Sequence, residues 1–249
     1  MYTEVLGRVP KDFVDYVVHV LEEFYEKTCL KPELLEVYIY ESGRVMQESL
    51  VGEAARLGIS VIGHYIVSHE AWMGWPRIHV NYEEARNLSR EVLAALLVHE
   101  GAHSVLHGSI SHYIISEDRE LKKVLERRYS EAVYLASVVV KDMDVHRYLV
   151  EKGFEEHVQL YYEFVHRDIT EISCNNIIEV LKLAKLVSPC IYITCEPSPQ
   201  ELLQEACKKL YNILERTLRG LGSITGNLSE RVVYILWQII RALQLNAST

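Results

Sequence analysis

The chain has 249 residues, and its 26 Lys and Arg against 35 Asp and Glu give a formal net charge of −9. An apolar fraction of 49% with 24% charged residues is ordinary for a globular protein and excludes extensive disorder. The acidic balance argues against a nucleic-acid partner, because phosphate binding needs clustered Lys and Arg. Only 12 Gly and 6 Pro favour a helical protein over a loop-rich all-β fold.

The sequence shows no pattern typical of secretion or membrane insertion. The first residues, MYTEVLGRVPKDFVDYVV, are acidic where a signal peptide is basic and then apolar. The longest apolar stretch near the C-terminus, 232–240, is far shorter than the roughly 20 residues of a membrane span. The five cysteines are odd in number and lack a C-x-x-C pair, so we expect reduced thiols in a cytoplasmic protein. Cys190 and Cys195 are close enough in sequence to bridge as an alternative.

In the first half of the chain, short strands alternate with helices. Hydrophobic periodicity predicts a helix over 11–29, a strand over 34–40 and a second helix over 47–57. Two more strands are predicted over 59–68 and 77–80, separated by a loop with two tryptophans. These segments predict a small sheet with accompanying helices.

From residue 81 onward the period is almost entirely helical. Asn81 with a Glu three residues later is a capping-box pattern, which predicts a helix that continues to about residue 107. A second long helix is predicted over 130–152, and capping patterns open further helices at Ser198 and Asn227. The second half of the chain is therefore expected to be helical.

Together these elements predict a helix-rich α+β fold, with a small sheet followed by a helical C-terminal region. We place the boundary after Gly153, giving a first domain over 1–153 and a helical region over 154–249 that can also pack with it as one domain. The apolar stripes of the C-terminal helices are either core or an oligomer interface. A homo-oligomer through these helices is therefore one expectation.

His99, Glu100 and His103 form an H-E-x-x-H motif within the first long helix. Histidines four residues apart lie on one helix face, about 6 Å apart along the axis, and can converge on one zinc ion. Glu100 between them is placed to take a proton from water that the metal activates. Because the flanking runs VLAALLV and SVL predict a buried helix, unpaired histidines there are costly. We predict one Zn²⁺ per chain, the alternative being two hydrogen-bonded core histidines.

This motif, preceded by the strand PRIHV and followed by a second helix that bears an acidic residue, resembles the zincin metallopeptidases. Within them it is most similar to the gluzincin branch, in a small form, over about residues 60–150. The resemblance implies a sheet packed on a zincin-type pair of active-site helices. It also implies peptide-bond hydrolysis of a peptide or protein substrate with Glu100 as general base. The family's third metal ligand is an acidic residue on the downstream helix, in the pattern E-x-x-x-D.

Other sources of a third ligand fit the sequence less well. The metzincin pattern requires Gly and His where this chain has Leu106 and Ser109, so that branch is excluded. His107 lies eight residues after His99, about 12 Å along the helix axis, too far for the three histidines of this helix to share an ion. His112 could fold back towards the motif and stays an alternative.

On the downstream helix, the apolar stripe places Asp142 and His146 in the middle of the buried face. Asp142 is therefore the predicted third ligand, with a capping or salt-bridging carboxylate as the alternative. His146 stands where the family has an acidic residue that supports a ligand, so it is either such a support or a fourth ligand. Four protein ligands are typical of structural zinc. A non-catalytic zinc scaffold, or a protein-interaction protein, is thus the alternative function.

The strand 77–80 precedes the motif helix, as the substrate-binding edge strand does in the family. Arg77 and His79 are accordingly predicted beside a bound peptide, and an interior strand with Ile78 and Val80 in the core is the alternative. A peptidase also needs a residue that stabilises the oxyanion. The sequence does not choose among four candidates that follow the third-ligand position, namely Arg147, His157, Tyr161 and Tyr162.

Overall fold

The structure is a computed structural model that describes residues 1–57, 65–222, 224 and 226–247. The helix-rich α+β prediction is confirmed, since one four-stranded sheet is accompanied and followed by helices. The chain divides into two compact units, Met1–Tyr113 and Ile114–Thr249. This break precedes the second long helix, whereas the sequence suggested a boundary after Gly153. The division into 1–153 and 154–249 stays a prediction.

The sheet belongs to the first unit and has the strand order β1-β2-β4-β3. Strands β1 and β4 run parallel to the central β2, whereas β3 pairs antiparallel with β4. The strands are β1 (Tyr2–Leu6), β2 (Glu36–Tyr40), β3 (Val67–Glu70) and β4 (Arg77–Asn81). Since β4 has a neighbour on both sides, it is an interior strand.

Two of the predicted strands correspond to β2 and β4. For the strand predicted over 59–68, residues 58–64 lie outside the described part of the chain, and β3 begins at Val67. Strand β1 was not predicted from the sequence. It has only five residues and forms by pairing with β2, and the local sequence does not reveal that pairing.

Helices cover both faces of this sheet. They are α1 (Lys11–Thr28), α2 (Gly43–Leu57), α3 (Tyr82–Ala85) and α4 (Arg90–Leu106). Helix α2 packs on β2 and β4, where Tyr40 forms a buried cluster with Met46 and Leu50. Helix α4 packs on β3 and β4, and α1 packs along α4. The predicted helices 11–29 and 47–57 are confirmed as α1 and α2.

The helix predicted from residue 81 to 107 is two helices. Asn81 still belongs to β4, and its side-chain amide donates to Glu84 Oε1 (3.1 Å) rather than capping the helix backbone. Ser89 is the functional cap of α4, since its Oγ accepts a hydrogen bond from the Val92 amide (3.3 Å). The long helix therefore begins after Ser89, eight residues beyond the capping pattern that the sequence analysis identified at Asn81.

The second unit is helical throughout its described part, with helices α5 (Arg119–Leu125), α6 (Tyr129–Glu151), α7 (Glu155–Val165), α8 (Ile177–Val187), α9 (Pro199–Leu202), α10 (Glu205–Leu221) and α11 (Leu228–Ala247). Helix α6 packs against α8 and α11, and α10 packs against α11. Leu210, Leu214, Val232 and Leu236, which belong to the predicted stripes, are buried in this core. A homo-oligomer through these helices stays a prediction.

The expectation of five reduced thiols is wrong. Cys174 is bonded to Cys207 and Cys190 to Cys195, while Cys29 is a free and exposed thiol. Their spacing in sequence gave no framework, because Cys174 and Cys207 are 33 residues apart and meet only when the helices of this unit pack. Among the described residues, no helix is long and apolar enough to cross a membrane.

Candidate metal centre

The H-E-x-x-H motif lies in the last two turns of α4, on its buried side. His99 and His103 are only 3% and 8% exposed. Their Nε2 atoms lie 3.2 Å apart, because the four-residue spacing places both rings on the same helix face. The structure therefore brings together the two histidines that the sequence predicted as ligands.

The separation of these nitrogens can be compared with zinc geometry. Two nitrogens bound tetrahedrally at 2.0–2.1 Å lie about 3.3 Å from each other. The observed 3.2 Å between His99 Nε2 and His103 Nε2 fits this requirement without movement of either ring. The pair is thus arranged to chelate one ion through both Nε2 atoms.

A close approach between α4 and α1 holds this part of the helix in place. A Cβ at Gly101 would lie only 2.9 Å from the ring of Phe24, so glycine is the residue that allows α1 to pack here. Ser104 Oγ donates to the Gly101 carbonyl (2.6 Å) and accepts from the hydroxyl of Tyr25 (2.7 Å). Contacts on both sides of His103 therefore fix the helix backbone that carries it.

Glu100 differs from the histidines on either side in its exposure. Its side chain is half-buried, whereas those of His99 and His103 are buried. Glu100 is thus partly accessible and is one residue from a candidate ligand. This arrangement suits a group that exchanges protons with water rather than one that binds the metal.

Further histidines surround His103, and the sequence did not reveal their grouping. His107 is 4% exposed, and its Nδ1 lies 3.1 Å from His103 Nδ1. The ring of His69 on β3 stacks on that of His103 with centroids 5.9 Å apart, and its Nδ1 lies 3.3 Å from the hydroxyl of Tyr113. His69 comes to this place because it pairs with Ile78, on the sheet face covered by α4. Only the i, i+4 spacing of His107 was a signal in the sequence.

In the second unit, Asp142 and His146 occupy one buried face of α6, as predicted. They are 2% and 0% exposed. Ser188 Oγ donates to the Lys185 carbonyl (2.8 Å), so its oxygen accepts from His146 Nδ1 (3.1 Å). The proton of neutral His146 is therefore on Nδ1, and Nε2 keeps its lone pair. Burial lowers the pKa of His146 to about 4, although the charge of Asp142 partly opposes this shift.

Arg77 and His79 do not lie at a sheet edge, which corrects the predicted substrate strand. All five residues of β4 are buried, and the strand pairs with β2 and β3. Arg77 forms ion pairs with Glu70 and Glu53, and His79 Nδ1 lies 2.9 Å from the hydroxyl of Tyr40. These side chains build a polar network between the sheet and α2, so the alternative of an interior strand is the one observed.

Among the oxyanion candidates, Tyr161 lies beside His146 of α6. Its ring centroid is 5.4 Å from that of His146. Tyr162 instead donates to the carbonyl of Pro197 (2.6 Å), and burial raises the pKa of Tyr162 to about 12. Arg147 reaches the carboxylate of Asp144 (3.6 Å). None of these contacts assigns the oxyanion role.

The second unit also contains a groove of about 950 Å³. Its lining combines four glutamates, Glu155, Glu156, Glu163 and Glu196, with apolar side chains from α6, α7 and the loop after α8. None of the predicted site residues lines it. The groove is therefore separate from the chemistry that the motif predicts.

No protein-family model, curated protein or solved structure matches this chain. The likeness to the zincins therefore depends on the motif and on the order of the elements around it.

Proposed function

We propose that the protein is a zinc-dependent metallopeptidase. The observation that carries this proposal is the 3.2 Å separation of His99 Nε2 and His103 Nε2 on one buried face of α4, with half-buried Glu100 between them. A pair of structural histidines would need neither this convergence nor an adjacent glutamate that is only half-buried.

Asp142 is the proposed third ligand. Asp142 is buried, as His99 and His103 are, and each of the three side chains has an atom of a type that binds zinc. Two imidazoles and one carboxylate match the composition of catalytic zinc sites, which leave a fourth position for water or substrate. We propose that His146 does not bind the ion, so that the site keeps an open position.

The chemistry follows from the residue types. When bound, zinc polarises the scissile carbonyl and makes a water molecule acidic enough to lose a proton at neutral pH. Glu100 would accept that proton as the water oxygen adds to the carbonyl carbon, and would then deliver it to the amine nitrogen as the C–N bond breaks, acting first as a base and then as an acid. His99, His103 and Asp142 would hold the metal.

The substrate strand of the proposed enzyme is β3 rather than β4. Within the described residues, β3 pairs on one side only, with β4, so its other edge can add an extended peptide by backbone hydrogen bonds. His69 on this strand stacks on His103, which places the strand beside the motif. A peptide or a narrow protein segment is the substrate class that fits such an edge.

Metal content is the first test, on protein purified without added metal. We expect about one zinc per chain in the wild type, loss of zinc in Asp142→Ala, and retention in His146→Ala. Loss in both variants would favour a closed structural site with His146 as fourth ligand. A wild type that stays free of zinc after reconstitution would contradict the proposal.

A further inference from the structure

We propose that His107 positions the zinc ligand His103, by accepting a hydrogen bond that fixes the tautomer and orientation of its ring. This inference depends on the metal site of the proposed function and assigns a role to a residue that does not bind the ion. The distance that supports it is 3.1 Å between His103 Nδ1 and His107 Nδ1.

The two ring nitrogens of His103 have different neighbours. Nε2 faces His99 Nε2 at 3.2 Å, and Nδ1 faces His107 Nδ1 at 3.1 Å. A neutral imidazole carries one proton, and the nitrogen that binds a metal must be the one without it. Ligation through Nε2 therefore requires the proton of His103 on Nδ1.

This requirement determines the protonation of His107. A proton on His103 Nδ1 points at His107 Nδ1, which must then accept it with a lone pair, so neutral His107 carries its own proton on Nε2. In the reverse arrangement His107 would donate to His103 Nδ1, and the proton of His103 would occupy Nε2, where it blocks ligation. The hydrogen bond can thus run in only one direction when the metal is bound.

Burial makes the contact important for the ring of His103. His103 and His107 are 8% and 4% exposed, so an Nδ1–H that lost its acceptor would gain little compensation from water. His107 is the C-cap residue of α4, and its backbone amide donates to the His103 carbonyl (2.7 Å), which holds the backbones of the two residues together. Groups that orient a metal-bound histidine in this way typically contribute 10–100-fold in metal affinity.

The test compares zinc affinity, measured by competition with a chromophoric chelator, among four forms of the full chain. They are the wild type, His107→Asn, His107→Gln and His107→Phe. An Asn oxygen lies near the position of Nδ1 and can accept the hydrogen bond, a Gln oxygen reaches the position of Nε2, and Phe offers no acceptor. We expect His107→Asn to bind zinc like the wild type, and the Gln and Phe variants to bind 10–100-fold more weakly.

A second readout separates positioning from a general effect on folding. We expect the absorption bands of the Co²⁺-loaded protein to shift in the Phe and Gln variants but not in the Asn variant, at similar Tm of all four metal-free proteins. Equal zinc affinity in all four forms would overturn the inference, as would equal loss in all three variants together with a lowered metal-free Tm. A wild type that binds no zinc would overturn the proposed function as well, so the two failures are distinguishable.

Discussion

Glu100 is the residue at which catalysis and metal binding can be separated. Because it is proposed to move a proton and not to bind the ion, Glu100→Gln should keep its zinc and lose hydrolysis of a peptide library by 10²–10⁴-fold. Metal analysis and product detection by mass spectrometry measure both properties on the same sample. Unchanged hydrolysis in Glu100→Gln would remove this residue from the mechanism.

The buried His146 should make the stability of the metal-free protein depend on pH. Burial lowers the pKa of His146 to about 4, below the value of about 6.5 in an unfolded chain. Between these values the unfolded chain binds a proton that the folded chain does not. The free energy of unfolding should therefore fall as pH decreases from 6.5 to 4, by about 3 kcal/mol from this group.

Urea unfolding at pH 7 and pH 4.5 in the presence of a chelator checks this prediction. His146→Gln should lose less stability on acidification than the wild type does. His19→Gln is the matched control, because the side chain of His19 is 72% exposed. An equal pH dependence in the wild type and His146→Gln would contradict the role given to this histidine.

For individual residues, the sequence was sufficient to predict that His99 and His103 share one helix face and which face of α6 is buried, because helical spacing alone determines which residues share a face. It was not sufficient for His69, whose place beside His103 depends on the register between β3 and β4. Nor did it reveal that Arg77 pairs with Glu53, since these residues meet only when α2 packs on the sheet. Contacts between distant segments carry no local signal.

At the scale of elements, the packing of α1 against α4 makes Gly101 sensitive to a single added methyl group. Ala at this position would place Cβ 2.9 Å from the buried Phe24 ring. We expect Gly101→Ala to destabilise the protein, because overpacking of about 1–3 kcal/mol exceeds the gain in helix propensity of about 1 kcal/mol.

Gly52 in α2 provides the matched control for this prediction. Among the described residues, no atom outside the neighbouring backbone of α2 lies within 4 Å of a Cβ built there, so Gly52→Ala should gain only the helix propensity and stabilise the protein by about 1 kcal/mol. Thermal unfolding of the two variants measures the contrast. The same sign of change in both would show that the close approach of α1 does not constrain Gly101.

Removing one partner from the ion-pair network between the sheet and α2 should lower the free energy of unfolding considerably. Arg77 is 5% exposed at its side chain and pairs with Glu70, which is 7% exposed. Arg77→Met leaves the Glu70 carboxylate buried without its cation, so we expect a loss of about 3–5 kcal/mol in urea unfolding. Adding Glu70→Gln to this variant should recover part of the loss, and a single variant within 1 kcal/mol of wild type would contradict the prediction.

At the scale of the whole molecule, the disulfides change the interpretation of the cysteines. The argument from reduced thiols no longer supports a cytoplasmic location, because disulfides persist mainly in oxidising compartments. The location itself stays a prediction. The odd cysteine count is explained by Cys29, which is free and exposed.

Alkylation followed by mass spectrometry tests the cysteine pairing directly. With Cys29 as the free thiol, we expect one label per native chain and five labels after denaturation and reduction. Reduction should also destabilise the second unit by about 3–4 kcal/mol, because the Cys174–Cys207 bond closes a loop of 33 residues. Several labels on the native, unreduced protein would contradict the pairing.

The burial of the histidine pair has a consequence for the rate at which a metal ion is exchanged. With His99 and His103 only 3% and 8% exposed, an ion can enter or leave mainly when this part of the chain opens. Exchange would then follow the frequency of local opening rather than the strength of the metal–nitrogen bonds. Zinc bound during synthesis should accordingly resist brief dialysis against a chelator and be released rapidly once mild denaturant makes α4 open more often.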